Sequence, residues 1–173
     1  MGRVNLAVFF TVSIVLLSVN SFAFKNEPDG FRGIKWGTDI STLKAMNHVR
    51  TDPSYGSVEF YTRKWDELRI GDAQLYNIEY AFWKGKFASV WIYSIGYANW
   101  LDLRDATVAR FGEGYQPHRY LEQYLWYGSS TMILLQYNQI RREGTLCMFS
   151  QAIAKEQEEY DKQKAKEGAK KGF

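Results

Sequence analysis

The sequence predicts an α+β fold: an antiparallel sheet built from two tandem α-β-β-β units, with helices on one face and a charged C-terminal helix. Three observations carry that expectation. Runs rich in aromatic and β-branched residues recur between glycine-, serine- and charge-rich turns, from Val58 to Ala152. Apolar residues at helical spacing occur in two places inside this succession, around Ile40 to Asn47 and from Trp100 to Phe111. The last stretch, Lys155 to Lys171, is dense in Glu and Lys, with Glu158 and Lys162 four residues apart, as on a solvated helix.

In chain order, the first element is one to set aside. Arg3 leads into the apolar run Leu6 to Val19, which at 14 residues is short for a membrane span and suited to the core of a signal peptide. Ser21 and Ala23 supply small residues at the positions signal peptidase reads, so cleavage is expected after Ala23 and the mature chain at Phe24. No cysteine follows the run, which predicts an exported protein without a lipid anchor or an integral span after cleavage. Periplasmic or secreted are the two locations this leaves. The rest divides into one α+β domain over 24–152, with possible repeat halves 31–95 and 98–152, and a charged helical tail over 153–173.

Phe31 to Gly37 alternates apolar and polar residues and reads as a short strand. Thr38 or Asp39 can cap a helix of two to three turns reaching Asn47, and Pro53 with Gly56 marks the loop after it. Strands follow at Val58 to Trp65 and Ala73 to Trp83. The clearest hairpin runs from Ile78 to Ser94, turning at Trp83 to Lys86 and setting Phe82 opposite Phe87. Asn99 is placed to cap a helix over 100–111, whose stripe is Trp100, Leu103, Thr107 and Phe111 and whose end is marked by Gly112. Three strands close the succession: Tyr120 to Tyr127, Thr131 to Gln139 and Gly144 to Ala152.

A capped helix bounded by glycine, a helix ending in Phe111 and Gly112, and a meander of aromatic strands together resemble two exported groups of helix-plus-sheet proteins. These are the small outer-membrane-assembly proteins and the β-lactamase-inhibitor protein. The opening Phe31 to Thr38 is also similar to a phrase in exported bacterial proteins of unknown role. The resemblance is one of layout, over about 31–152, and implies binding without catalysis through an open sheet face. The chain departs from the first group in lacking the lipidated cysteine.

Composition narrows the function further. Of 173 residues, 46% are hydrophobic and 17% aromatic, which excludes disorder for most of the chain. A net charge of +3 is too small for binding nucleic acid through its phosphates. The single Cys147 forms no internal disulfide and is expected in the core, and with only His48 and His118 beside it there is no ordinary zinc set. Neither histidine has the surroundings of a nucleophilic triad, and Gly112 to Gly114 lacks the remainder of a dinucleotide fingerprint, so no cofactor is expected. Asp66 with Glu67, and Asp102 with Asp105, are the carboxylate pairs on which an envelope enzyme acting on glycan or peptidoglycan would rest.

The aromatic strands point instead to binding. Strict alternation along the 78–94 hairpin puts Ile78, Tyr80, Phe82, Phe87, Ser89, Trp91 and Tyr93 on one face, and Glu79, Ala81, Trp83, Lys86, Ala88, Val90 and Ile92 on the other. If helices approach the smaller face, then Tyr80, Phe82, Phe87, Trp91 and Tyr93 form an open platform for an envelope protein, peptide or glycan. If the bulky face is the core, the small one lies outside. The leading expectation is a non-catalytic interaction module; the alternatives are the carboxylate enzyme and a peripheral outer-membrane assembly factor. The sequence carries no sign of oligomeric state.

Overall fold

The computed structural model describes residues 24–172. The signal-peptide reading of residues 1–23 lies outside the described residues. Arg32 and Gly33 take φ values of 47° and 81°, the left-handed pair of a tight hairpin turn. The strand expected over 31–37 is therefore folded back as β1 (Gly30–Phe31) and β2 (Ile34–Lys35). The helix expected over 38–47 is reduced to a single 3-10 turn, Ile40–Thr42. The Asp39 carboxylate accepts the Ser41 backbone N–H at 2.8 Å and its hydroxyl at 2.6 Å, which satisfies a turn and offers nothing to a longer helix. Ala45, at φ 62°, then redirects the chain into β3 (Met46–Asp52). Ile40, Leu43 and Met46 all pack on the main core, so their spacing recorded burial and not helix.

Next come β4 (Val58–Arg63), the small hairpin of β5 (Arg69–Ile70) and β6 (Ala73–Gln74), and the long hairpin of β7 (Asn77–Trp83) and β8 (Lys86–Ile95). Helix α1 (Tyr97–Phe111) starts three residues before the expected position. Gly96, at φ 88°, makes its entry turn, while Asn99 accepts the Gln74 backbone N–H at 3.1 Å and donates to the Ile95 carbonyl at 3.0 Å. Its far end stops at Gly112 as expected. The second half adds β9 (Gln123–Tyr127), β10 (Thr131–Asn138) and β11 (Glu143–Ser150), and α2 (Gln151–Gly172) follows β11 without a loop.

The fold is α+β. Seven strands form one antiparallel sheet in the order β3-β4-β7-β8-β11-β10-β9, the two halves of the chain meeting at β8 and β11. Both faces carry a helix, where the sequence suggested one. On the first, Trp100, Leu103, Thr107 and Phe111 of α1, the stripe read from the sequence, are buried. Trp100, Leu103 and Phe111 share one cluster with Ile78, Tyr80, Phe82, Phe87, Val90 and Ile92. On the second, Ile153 of α2 joins Val58, Phe60, Ala81, Trp83 and Ala88, with Tyr160 packed alongside.

The expected division of faces fails at one residue. Ala81 pairs with Ser89 and Phe82 with Phe87, which leaves Ala88 as an unpaired bulge. One extra residue exchanges every side chain beyond it between faces. Phe87, Val90 and Ile92 therefore lie on the α1 face, and Ser89, Trp91 and Tyr93 on the α2 face. Helix α1 therefore covers Tyr80, Phe82 and Phe87 together with Val90 and Ile92, which fill the space beneath it to the density an interior requires, and the small Ala81 and Ala88 lie under α2.

A latch secures the segment that borders the α1 face. The Glu27 carboxylate accepts the backbone N–H groups of Ser130 and Thr131 at 2.6 and 2.8 Å, together with the Ser129 and Ser130 hydroxyls. Burial opposes its ionisation, but these bonds prevail and hold its pKa at about 2. Phe24 sets its ring edge-on to Phe111 at 5.7 Å. Among the described residues no helix is long and apolar enough to cross a membrane.

Candidate functional site: the α2 face of the sheet

Helix α2 covers only part of its face. Ile153, Gln157 and Tyr160 recur at the spacing that keeps side chains on one side of a helix, and from Asp161 to Lys170 every residue is exposed. Tyr160 meets Trp83 edge-on at 6.1 Å, and the Lys84 ammonium lies 4.1 Å from the centre of the Trp83 ring. Beyond this margin the sheet is open, and its residues follow from register. Trp91 lies opposite Cys147, which lies opposite Leu134 and then Leu125; Phe149 lies opposite Met132.

Trp91 is the centre of this band. Its indole N–H donates to the Ser89 hydroxyl at 3.2 Å, and its ring packs edge-to-face with Phe149 at 5.7 Å and Phe60 at 6.4 Å. The Arg50 guanidinium lies 3.4 Å from the centre of the Phe60 ring and pairs with Glu79 at 3.0 Å, closing the β3 side with charge. Tyr93 continues the band; burial, and then the Glu79 charge, push its phenol pKa up. Between α2 and this surface runs a groove of about 440 Å³, with Phe60, Trp91, Met132 and Phe149 on the sheet side and Ala154 and Gln157 on the helix side.

The five residues expected to form one platform are thus divided. Tyr80, Phe82 and Phe87 are sealed in the core at 0%, 1% and 0% exposure, because α1 packs on their face, while the Ala88 bulge turns Trp91 and Tyr93 to the other. Trp91 and Tyr93 are half-buried on the α2 face. Strict alternation missed Phe60, Met132 and Phe149, which register brings beside Trp91; the apolar residues two apart in 145–149 were the available signal. Cys147 is buried and its thiol pKa is raised by that burial.

The residues weighed for catalysis are dispersed. Asp66 accepts the Tyr80 hydroxyl at 2.7 Å and pairs with Arg32 at 2.5 Å, tying β4's exit to the N-terminal hairpin. Burial and that hydrogen bond raise the Tyr80 phenol. Glu67 and Asp102 are exposed, and Asp105 pairs with its neighbour Arg104 at 2.8 Å. His48 lies on the sheet edge against Tyr61 at 5.2 Å, and His118 is exposed in the loop before β9. Among the described residues no three His, Cys, Asp or Glu side chains are grouped to hold a metal ion. Comparison with models of protein families, with curated proteins and with solved structures gave no match.

Proposed function

We propose that the protein is a non-catalytic interaction module of the cell envelope, exported through residues 1–23, which holds an apolar segment of a partner protein against the α2 face. The observation that supports this reading is the open band around Trp91, with Phe149, Met132 and Leu134 half-buried beside a groove that α2 leaves unfilled. Phe60, Trp91, Met132 and Phe149 give the groove its apolar side, and Asp52, Ser89 and Gln157 are among the polar groups beside them, a mixture that suits the side chains and backbone of a peptide. The layout resemblance to exported binding proteins points the same way.

A photo-crosslinking amino acid at Phe149, compared with one at Ala109 on the outer side of α1, tests the reading in an envelope extract. An adduct of defined mass at Phe149 and none at Ala109 is the expected result. Trp91→Ala should then weaken the isolated interaction by roughly thirtyfold, as for a central aromatic anchor. Equal labelling from both positions would overturn the assignment of the α2 face, and an adduct containing only glycan would replace the partner class.

A further inference from the structure

At the end of the sheet where β8 stops, and where β11 and β9 begin, exposed apolar side chains gather on neighbouring elements. Ile140, at the tip of the β10–β11 hairpin, is 96% exposed, and Tyr120 is 78% exposed; Ile95, Tyr97 and Leu121 are exposed beside them. Tyr120, Leu121 and Ile140 border a single depression of about 500 Å³. Pairing of Ile95 with Glu143 and of Glu143 with Asn138 brings the elements together, within about 15 Å across neighbouring strands. The tip is a built turn: the Asn138 side-chain oxygen accepts the backbone N–H groups of Ile140 and Arg141, both at 3.0 Å.

The charges here are sorted. Glu122 accepts the hydroxyls of Tyr97 and Tyr124, and Glu143 accepts that of Tyr76 at 2.6 Å, so both carboxylates are turned to partners within the molecule. Arg119, Arg141 and Arg142 are exposed and make no ion pair among the described residues. The Arg119 guanidinium lies over the Tyr120 ring at 4.6 Å. Exposed aliphatic tips, tyrosines and arginines without an acidic partner make up the set of side chains that an interfacial membrane layer accepts: apolar groups enter the acyl boundary, while guanidinium groups meet anionic headgroups.

We infer that this end of the molecule docks on an anionic lipid surface, with Ile140 and Leu121 inserted at the headgroup boundary and Arg119, Arg141 and Arg142 on the phosphates. The contact is peripheral and reversible, since one hairpin tip and a few rings bury little apolar area. It leaves the α2 face free, so a protein partner and a membrane are held by separate surfaces.

Vesicle co-sedimentation tests the inference, using phosphatidylcholine alone and phosphatidylcholine mixed with phosphatidylserine. Full-length chains are compared with one another, so residues 1–23 contribute equally to all. The wild type should favour the anionic vesicles and release with salt. Ile140→Asp should lower the partition about tenfold. Arg141→Gln with Arg142→Gln should remove most of the anionic preference, about fivefold for each charge. Tyr127→Ala, which deletes an exposed ring at the opposite end of β9, should bind as the wild type does. Thermal unfolding of each variant confirms that these exposed changes leave the fold intact. Binding by Ile140→Asp and the double variant equal to that of the wild type would overturn the inference. It would also be overturned by self-association that Ile140→Asp abolishes without any vesicle binding, which would make this end a contact between copies of the chain.

Discussion

The two faces of the sheet are both rich in aromatic rings, yet one is sealed and the other is half open. On the α1 face, Tyr80, Phe82, Phe87 and Trp100 are enclosed by α1, by the N-terminal hairpin and by the segment that Glu27 latches. On the α2 face, Trp91, Phe149 and Met132 have a helix along one margin only. Ring content is therefore no guide to exposure in this molecule. What separates the faces is the length of cover each receives, and a single unpaired residue, Ala88, decides which rings go to which face.

The contrast can be broken by equivalent truncations. Phe87→Ala empties a fully enclosed site and should cost about 3–5 kcal/mol in denaturant unfolding, from lost transfer energy plus a cavity. Trp91→Ala removes a larger ring from a half-buried site and should cost only about 1–2 kcal/mol, most of its effect falling on binding. A loss as large as that of Phe87→Ala would mean that the α2 face is as closed as the other.

Acid sharpens the contrast from the side of the cover. Glu27 titrates near 2 when folded against its ordinary 4.5, so the stability it lends is complete above about pH 4.5 and is lost as pH falls from there towards 2. Asp29, Asp39, Asp52 and Glu158 are also held below their ordinary values, chiefly by side-chain hydrogen bonds at exposed sites. The difference between wild type and Glu27→Gln isolates the latch. That variant should already have lost roughly 1 kcal/mol at neutral pH, after allowance for solvent screening, and should lose less than wild type on acidification. The smallest effect is expected from Tyr160→Ala, about 0.5–1 kcal/mol, because it removes one edge-on contact with Trp83 at the open margin. Hydrogen exchange along α2 should quicken in that variant while β11 keeps its protection.

The elements most legible in the sequence were those whose signal is local. The stripe of α1, its end at Gly112 and the pairing of Phe82 with Phe87 all rest on spacings or turn residues within a few positions. The 38–47 helix was misread because apolar residues at 40, 43 and 46 face one core whether the chain coils or not, and only the Asp39 turn and the backbone at Ala45 separate the two outcomes. The candidate site was legible in part. Trp91 and Tyr93 stood out as aromatic strand residues, but a bulge has no local signature at Ala88, and the side chains beside Trp91 come from β4, β10 and β11, which only long-range register brings together.

The Glu27 latch also sets an order in time. Its partners Ser130 and Thr131 lie 103 and 104 positions further along the chain. A ribosome or an export pore that releases the chain from its N-terminus frees Glu27 about 5–20 s before those partners, at ordinary synthesis rates. For the first part of that interval, until Tyr80 and Phe87 emerge, Phe31 and Trp36 lack the rings they finish against, and the Trp36 indole waits for Thr131 throughout. Residues 24–43 therefore complete their bonds only once the second half of the chain is out, and a factor that shields nascent apolar chain would act on them for longer than on the hairpins that follow.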